Sequence, residues 1–208
     1  MLSLDERKKL FLEIWVLAYK KYSSSTKRLA GEGWDADWKL LLTTILSAQN
    51  RDEVTIPVAE ILFKKYDSLE KIARADLSDL KQAIIRINYN ETKAGFLKKT
   101  ASILLNDFNG EVPRRAEDLI KLPGVGIKTA NLVVAELYGD DAICVDTHVH
   151  RISNVFGFVN TKTAEQTEQE LRLVVPKKLW SKVNRIFVLW GQDVRGYDKQ
   201  KFLDHLKN

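Results

Sequence analysis

Two ionisable side chains, Lys128 and Asp146, stand where an amine and a carboxylate could act on one sugar. The lysine follows a glycine turn, Leu122-Pro123-Gly124-Val125-Gly126-Ile127-Lys128-Thr129, and the aspartate follows a short apolar run in Val145-Asp146-Thr147-His148. Two glycines one residue apart let the main chain turn tightly and approach a ligand with no side chain between them. The amides of Gly124, Gly126 and the turn beyond, with the dipole of the next helix, favour an anion such as a phosphate. A lysine just inside that helix would then face the attached sugar. An ordinary lysine has a pKa of roughly 10.4, so an amine nucleophile needs help losing its proton; the positive end of a helix disfavours the ammonium. Eighteen residues on (146 − 128), Asp146 suits a helix N-cap. Kept ionised there, a carboxylate can steady positive charge developing at C1′ as a base departs. That chemistry is the removal of a base from DNA.

Each of these residues also has a plainer reading. Pro123 and Gly124 suit an ordinary turn, Lys128 could be a surface contact to phosphate, and Asp146 could cap a helix and do nothing else. A helix, a Pro-Gly-x-Gly turn and a helix also bind DNA without sequence preference in proteins that are not enzymes. The lysine and the carboxylate together are what simple binding leaves unexplained.

The elements that must position these groups are helical almost throughout, with no convincing alternating strand. Ser3 and Glu6 make a capping box ahead of an apolar face of Phe11, Ile14, Trp15, Ala18 and Tyr22. Ser23 to Thr26 with Gly31 and Gly33 reads as a loop. Helices are predicted near 37–48, 52–66 and 76–86, with Pro57 able to shift or bend the second. Others are predicted over 91–107, closed by Asn109-Gly110, and briefly near 114–121. The hairpin leads into a helix to about Tyr138 that Gly139 can end, and another starts at Asp146. Thr163 and Gln166 cap a helix to about Val175. Pro176 opens the next, with Leu179, Val183, Ile186, Phe187 and Trp190 as its apolar stripe.

A chain of 208 residues with 45% apolar content can build one large domain or two small ones. Its net charge is +5 and its pI about 9.1. From Lys177 to Asn208, eight basic residues face three aspartates, a surplus equal to that of the whole chain. A basic surface suits a polyanion, though a few extra lysines also serve solubility. The one cysteine, Cys144, excludes an internal disulfide and a multi-cysteine metal site, which points to a reducing compartment. No apolar run approaches the roughly 18–20 residues of a membrane span, and the N-terminus lacks an apolar signal core. The expectation is a soluble intracellular monomer, cytoplasmic or nucleoid-associated, with no membrane partner.

The hairpin, the run Val145 to His148 and the spacing between them resemble the endonuclease III family of helix-hairpin-helix DNA glycosylases. Weaker similarity runs from Leu46-Ser47-Ala48-Gln49 through Gly110-Glu111-Val112-Pro113 to Trp190-Gly191. The resemblance implies an all-α, two-lobed fold with a DNA-binding cleft between lobes. A six-helix domain would span 37–140, and residues 1–36 with 141–208 would form the second, discontinuous domain. Lys128 matches the Schiff-base lysine and Asp146 the essential aspartate. Relatives that only hydrolyse the glycosidic bond carry another residue at the lysine position, so a bifunctional glycosylase and abasic-site lyase is implied. Its partner would be double-stranded DNA holding a damaged base, typically an oxidised pyrimidine, or an abasic site.

The resemblance also assigns DNA contact to Leu122, Gly124, Val125, Gly126 and Thr129 of the hairpin and to His148. It makes Gln49 the plug for the gap left by a flipped nucleotide, because an emptied stack is costly; Gln49 could also be a plain loop residue. Where relatives read Gly-Leu-Tyr, this chain reads Asn88-Tyr89-Asn90, placing Tyr89 at the wedge position unless it is a core aromatic. A monovalent cation at the hairpin carbonyls is implied when DNA is bound. Family members usually hold an iron–sulfur cluster with four cysteines near the C-terminus; here Arg195 stands near the first, and no cluster is expected. The basic tail, with Lys199, Lys201 and Lys207, would supply DNA contacts or packing in its place.

His148 and His150 with Asp146 suggest metal ligation, but positions i and i+2 of a helix point apart, so no catalytic metal is expected. Cys144 reads as a small buried residue, and Trp15, Trp180 and Trp190 as core. Two rivals remain on sequence grounds: a mismatch- or 8-oxoguanine-directed glycosylase of the same fold, and a non-catalytic helix-hairpin-helix DNA-binding module.

Overall fold

The computed structural model describes residues 2–139 and 143–207, and every regular element among them is helical. The chain divides into two compact units, residues 28–138 and residues 1–27 with 139–208.

The continuous unit is built round α2 (Asp37–Ser47), which is buried without a break from Leu40 to Leu46. A helix apolar on all sides belongs in a core. Its two buried hydroxyls are satisfied locally, Thr43 donating to the Lys39 carbonyl at 2.7 Å and Thr44 to that of Leu41 at 2.7 Å. Around it pack α3 (Asp52–Lys65), which runs on through Pro57, α6 (Asn90–Asp107) and α8 (Ile127–Tyr138). Two short helices, α4 (Leu69–Arg74) and α5 (Leu77–Ala83), lie on α6, and α7 (Ala116–Leu119) lies on α8.

The helix over 69–74 is not foreseen by periodicity, because six residues make less than two turns. It forms on a Ser68 cap, whose hydroxyl accepts from the Lys71 amide at 3.3 Å, with Leu69 and Ile72 buried. The expected helix over 76–86 stops at Ala83, and the one near 114–121 shrinks to four residues. Residues 28–36, expected in the discontinuous unit, pack instead with α3. Trp34 meets Phe63 edge-on at 5.3 Å, and Arg28 pairs with Glu60 at 2.7 Å.

In the other unit α1 (Leu4–Tyr22) starts on its capping box, with Glu6 accepting from the Ser3 amide at 2.7 Å, and buries Phe11, Ile14, Trp15, Ala18 and Tyr22. It packs with α10 (Ala164–Val174), α11 (Trp180–Asp193) and α12 (Lys199–Lys207), while α9 (Thr147–Phe156) lies on α10 and α11. Pro176 precedes a 3₁₀ turn, Lys177–Leu179, instead of opening α11 directly. The core is aromatic: Phe11, Phe158 and Phe187 meet on one side, and Phe156, Trp190 and Phe202 on the other.

The tail expectation resolves into α12. The Asp198 carboxylate accepts from the Gln200 amide at 2.9 Å and starts the helix. Phe202, fully buried, then stands edge-on to Trp190 at 5.1 Å with the Arg151 guanidinium over its ring. Burying such a ring contributes about 1.5–3 kcal/mol.

Candidate active site

The hairpin turn is fixed by its own residues. The Val125 amide donates to the Leu122 carbonyl at 3.1 Å across Pro123 and Gly124, and Gly124 has φ +80°. Proline then glycine at the two central positions is the preference of a type II turn. Leu122 and Val125 are buried, so DNA contact from either would come through the main chain. Thr100 on α6 donates to the Pro123 carbonyl at 3.3 Å and holds the turn down.

The two glycines differ. A Cβ on Gly124 would sit 2.5 Å from Phe96 Cδ2 and 3.1 Å from Ile45 Cγ2, whereas one on Gly126 meets nothing within 4 Å. Gly124 is therefore needed for packing the turn onto α6 and α2, and Gly126 leaves open the space in front of the helix. The Ala130 amide donates to the Gly126 carbonyl at 2.9 Å, placing Gly126 at the cap of α8. The amides of the first turn after a cap have no acceptor within their helix and point outward, toward any anion. Lys128 is the second residue of α8 and is exposed; Thr129 beside it is half-buried.

Asp146 caps α9 in the unit that contains α1. Its Oδ1 accepts from the amides of His148 at 2.9 Å and Val149 at 2.8 Å. The neighbouring histidines diverge as their spacing requires. His148 packs against Gly191, where a Cβ would lie 2.4 Å from its Nδ1, and Arg151 approaches that nitrogen at 3.3 Å. His150 Nδ1 instead meets the Thr167 hydroxyl at 2.7 Å. Among the described residues no group of three or more His, Cys, Asp or Glu side chains could hold a metal ion. Arg151 ties α9 to α11 by donating to the carbonyls of Gly191 at 2.6 Å and Val194 at 2.9 Å.

Gln49 and Tyr89, forty residues apart in sequence, are brought side by side in the continuous unit. Both are exposed, Tyr89 by 65%, which removes the core-aromatic alternative. Both have left-handed backbone at φ 58°. Sequence reasoning missed the residues that join them. The Asn88 amide donates to Asn50 Oδ1 at 3.0 Å, and Asn88 Nδ2 donates to the Gln49 carbonyl at 2.8 Å. Beneath lies Lys93, 5% exposed, whose Nζ donates to the carbonyls of Leu46 at 2.8 Å and Ala48 at 2.5 Å. Burial pushes its ammonium down to about 8. Nothing in the sequence pairs Asn50 with Asn88 beyond each standing next to one of the two exposed residues.

An iron–sulfur cluster of the usual kind requires four cysteine thiolates, and the residues here do not fit one. The sole cysteine, Cys144, is buried beside Asn184, which donates to its carbonyl at 3.1 Å. The segment around Arg195 leads into α12.

Comparison with known proteins agrees with this layout. Residues 42–177 match the HhH-GPD superfamily of base excision DNA repair proteins. The chain is 39% identical over 157 residues to endonuclease III of Thermotoga maritima, covering 76% of this chain and 74% of that protein. It is 38% identical over 156 residues to endonuclease III of Bacillus subtilis, covering 74% and 71%. A solved structure of a trapped endonuclease III–DNA covalent intermediate superimposes with a TM-score of 0.85 at 32% identity, covering 96% of this chain and 92% of that one. A glycine hairpin opening a helix on its second-residue lysine, an aspartate capping another, and these matches give one conclusion: the chain belongs to the endonuclease III family within the HhH-GPD superfamily.

Proposed function

We propose that this protein is a bifunctional base excision repair enzyme, a DNA glycosylase and abasic-site lyase acting on oxidised pyrimidines in double-stranded DNA. The observation that carries the proposal is the exposed Lys128 one residue inside α8, directly behind a hairpin whose open side, at Gly126, can seat a phosphate. Its neutral amine attacks C1′, the base leaves with the electrons of the glycosidic bond, and ring opening gives an imine. Loss of a C2′ proton then expels the 3′ phosphate by β-elimination. Asp146, oriented by two main-chain amides, stabilises positive charge at C1′. Gly124, Gly126 and Thr129, with the backbone of Leu122 and Val125, hold the backbone of the damaged strand. Gln49 fills the vacated stack, Tyr89 wedges against the orphan base, and His148 braces the start of α9. The protein acts as a monomer within the cell.

Borohydride trapping tests the assignment. Reduction of the imine joins wild-type protein covalently to abasic DNA. Lys128→Gln should abolish trapping while keeping duplex affinity; strand cleavage by purified Lys128→Gln at the wild-type rate would refute it. A non-catalytic binding module would trap in neither form. A panel of duplexes with one lesion each, oxidised pyrimidines beside 8-oxoguanine and mismatches, tests the substrate class. That choice matters because Asn88-Tyr89-Asn90 replaces the family's Gly-Leu-Tyr with a planar, exposed ring at the wedge.

A further inference from the structure

Gln49 lies in a tight turn: the Asn50 amide donates to the Ser47 carbonyl at 2.9 Å, and Gln49 occupies the position that favours glycine. Tyr89 precedes α6 in the same left-handed conformation and makes no side-chain cap bond. Neither backbone is relaxed for a residue with a Cβ, and such conformations persist only where the surroundings hold them. Two exposed side chains are thus held on two strained, neighbouring loops, and the holding groups can be named.

Asn50 Nδ2 donates to the carbonyls of Leu46 at 2.9 Å and Ala48 at 3.1 Å, at the end of α2. Lys93 donates to the same two carbonyls from α6. Finishing α2 therefore does not need Asn50 alone. The bonds with no substitute are the reciprocal pair between loops, Asn88 amide to Asn50 Oδ1 and Asn88 Nδ2 to the Gln49 carbonyl.

We propose that Asn50 and Asn88 are positioning residues that clasp the two loops, so that Gln49 and Tyr89 enter the base stack as one rigid pair anchored on Lys93. The inference rests on the insertion roles given to Gln49 and Tyr89 under the proposed function. Its physical basis is preorganisation. Side chains ordered before binding do not lose their freedom when the nucleotide is extruded. Two loops joined by paired hydrogen bonds also hold a fixed spacing, which a filled stack requires.

The test uses the full chain and a duplex with an abasic site opposite 2-aminopurine, whose fluorescence reports how the orphan base is stacked. Single-turnover cleavage at saturating enzyme, duplex affinity and melting temperature are measured together. Gln49→Ala and Tyr89→Ala serve as controls and should each slow cleavage about tenfold or more. Asn50→Ala and Asn88→Ala should each slow it about tenfold with affinity changed less than about threefold. Asn50→Ala removes the acceptor for the Asn88 main-chain amide and Asn88→Ala the donor to the Gln49 carbonyl. Because the clasp needs both bonds, either loss opens it and the double variant should be no slower than the worse single. Asn50→Asp keeps the acceptor for the Asn88 amide and loses the donors to α2, so it should recover most of the rate lost in Asn50→Ala. A role confined to finishing α2 predicts the reverse, with Asn50→Asp as slow as Asn50→Ala and Asn88→Ala silent, and overturns the proposal. Folded asparagine variants with wild-type rate and fluorescence, beside slow Gln49→Ala and Tyr89→Ala, overturn the clasp and leave insertion standing. Wild-type rates in Gln49→Ala and Tyr89→Ala remove the insertion roles and the clasp with them. Should Asn50→Ala fail to fold, Asn88→Ala and Asn50→Asp carry the same comparison.

Discussion

Replacing each hairpin glycine by alanine separates packing from binding. At Gly124 the alanine would have to adopt φ +80°, at a cost of about 1–2 kcal/mol. Its Cβ would also press on Phe96 at 2.5 Å and Ile45 at 3.1 Å, and overpacking of this kind costs about 1–3 kcal/mol. The stiffer unfolded chain returns about 0.4–1 kcal/mol. Gly124→Ala should therefore lose about 1–5 kcal/mol, with about 3 kcal/mol as the middle of that range, a fall of about 6–12 °C in melting temperature for a chain this size. Gly126→Ala meets no neighbour within 4 Å and has no positive φ, so its melting temperature should stay within about 2 °C of wild type. Its methyl instead enters the space in front of the α8 amides. Losing one hydrogen bond to a charged group, worth about 1.5–3 kcal/mol, should weaken duplex binding about tenfold or more. Thermal denaturation by circular dichroism and fluorescence anisotropy with a labelled duplex at fixed salt read the two effects. Equal melting temperatures for the two variants, or full affinity in Gly126→Ala, would refute the division of labour.

Three other perturbations have signed outcomes. Asp146→Ala removes the cap of α9 and should cost about 1–2 kcal/mol, whereas Asp146→Asn keeps a good cap and should melt near wild type while cleaving about a hundredfold more slowly; a fast Asp146→Asn in single-turnover assays would contradict the role. For Lys93 the ammonium is held below its ordinary 10.5 at about 8, so the unfolded chain keeps its proton where the folded chain has lost it, and stability contributed by this group rises between pH 8 and pH 10.5. At 1.36 kcal/mol per unit, the unfolding free energy of wild type relative to Lys93→Met should climb by about 3 kcal/mol across that window, and a flat or falling difference in denaturant titrations would refute it. Phe202→Ala should cost about 3–5 kcal/mol, because the ring is fully buried against Trp190 and Phe156; an unchanged melting temperature would return the tail to a purely DNA-contacting role.

What could be read from the chain alone was what local rules decide. The capping box at Ser3, the cap at Asp146 and the stripe of α1 each depend on residues within a few turns, and each appears where expected. What could not be read depends on distant partners. The different duties of Gly124 and Gly126 are set by Phe96 and Ile45, remote in sequence. The tail gave three apolar residues, Phe202, Leu203 and Leu206, among lysines, and only the aromatic surface of α9 and α11 makes Phe202 core. That Tyr89 is not a core aromatic is shown only by its exposure. The clasp was illegible because hydrogen bonds from Asn50 to Asn88 span thirty-eight residues without any pattern of periodicity.

The discontinuous unit sets an order of events at the ribosome. Phe11 and Trp15 are made early, yet their partner Phe187 follows about 170 residues later, a wait on the order of ten to thirty seconds at ordinary synthesis rates. Residues 28–138 emerge whole in the meantime and carry their own core, so they can be finished before the unit that flanks them has begun to close. The apolar face of α1 stays uncovered until Phe158 and α10, and then Phe187, have been made, so a nascent chain stalled before them offers exposed apolar surface to any chaperone that binds it.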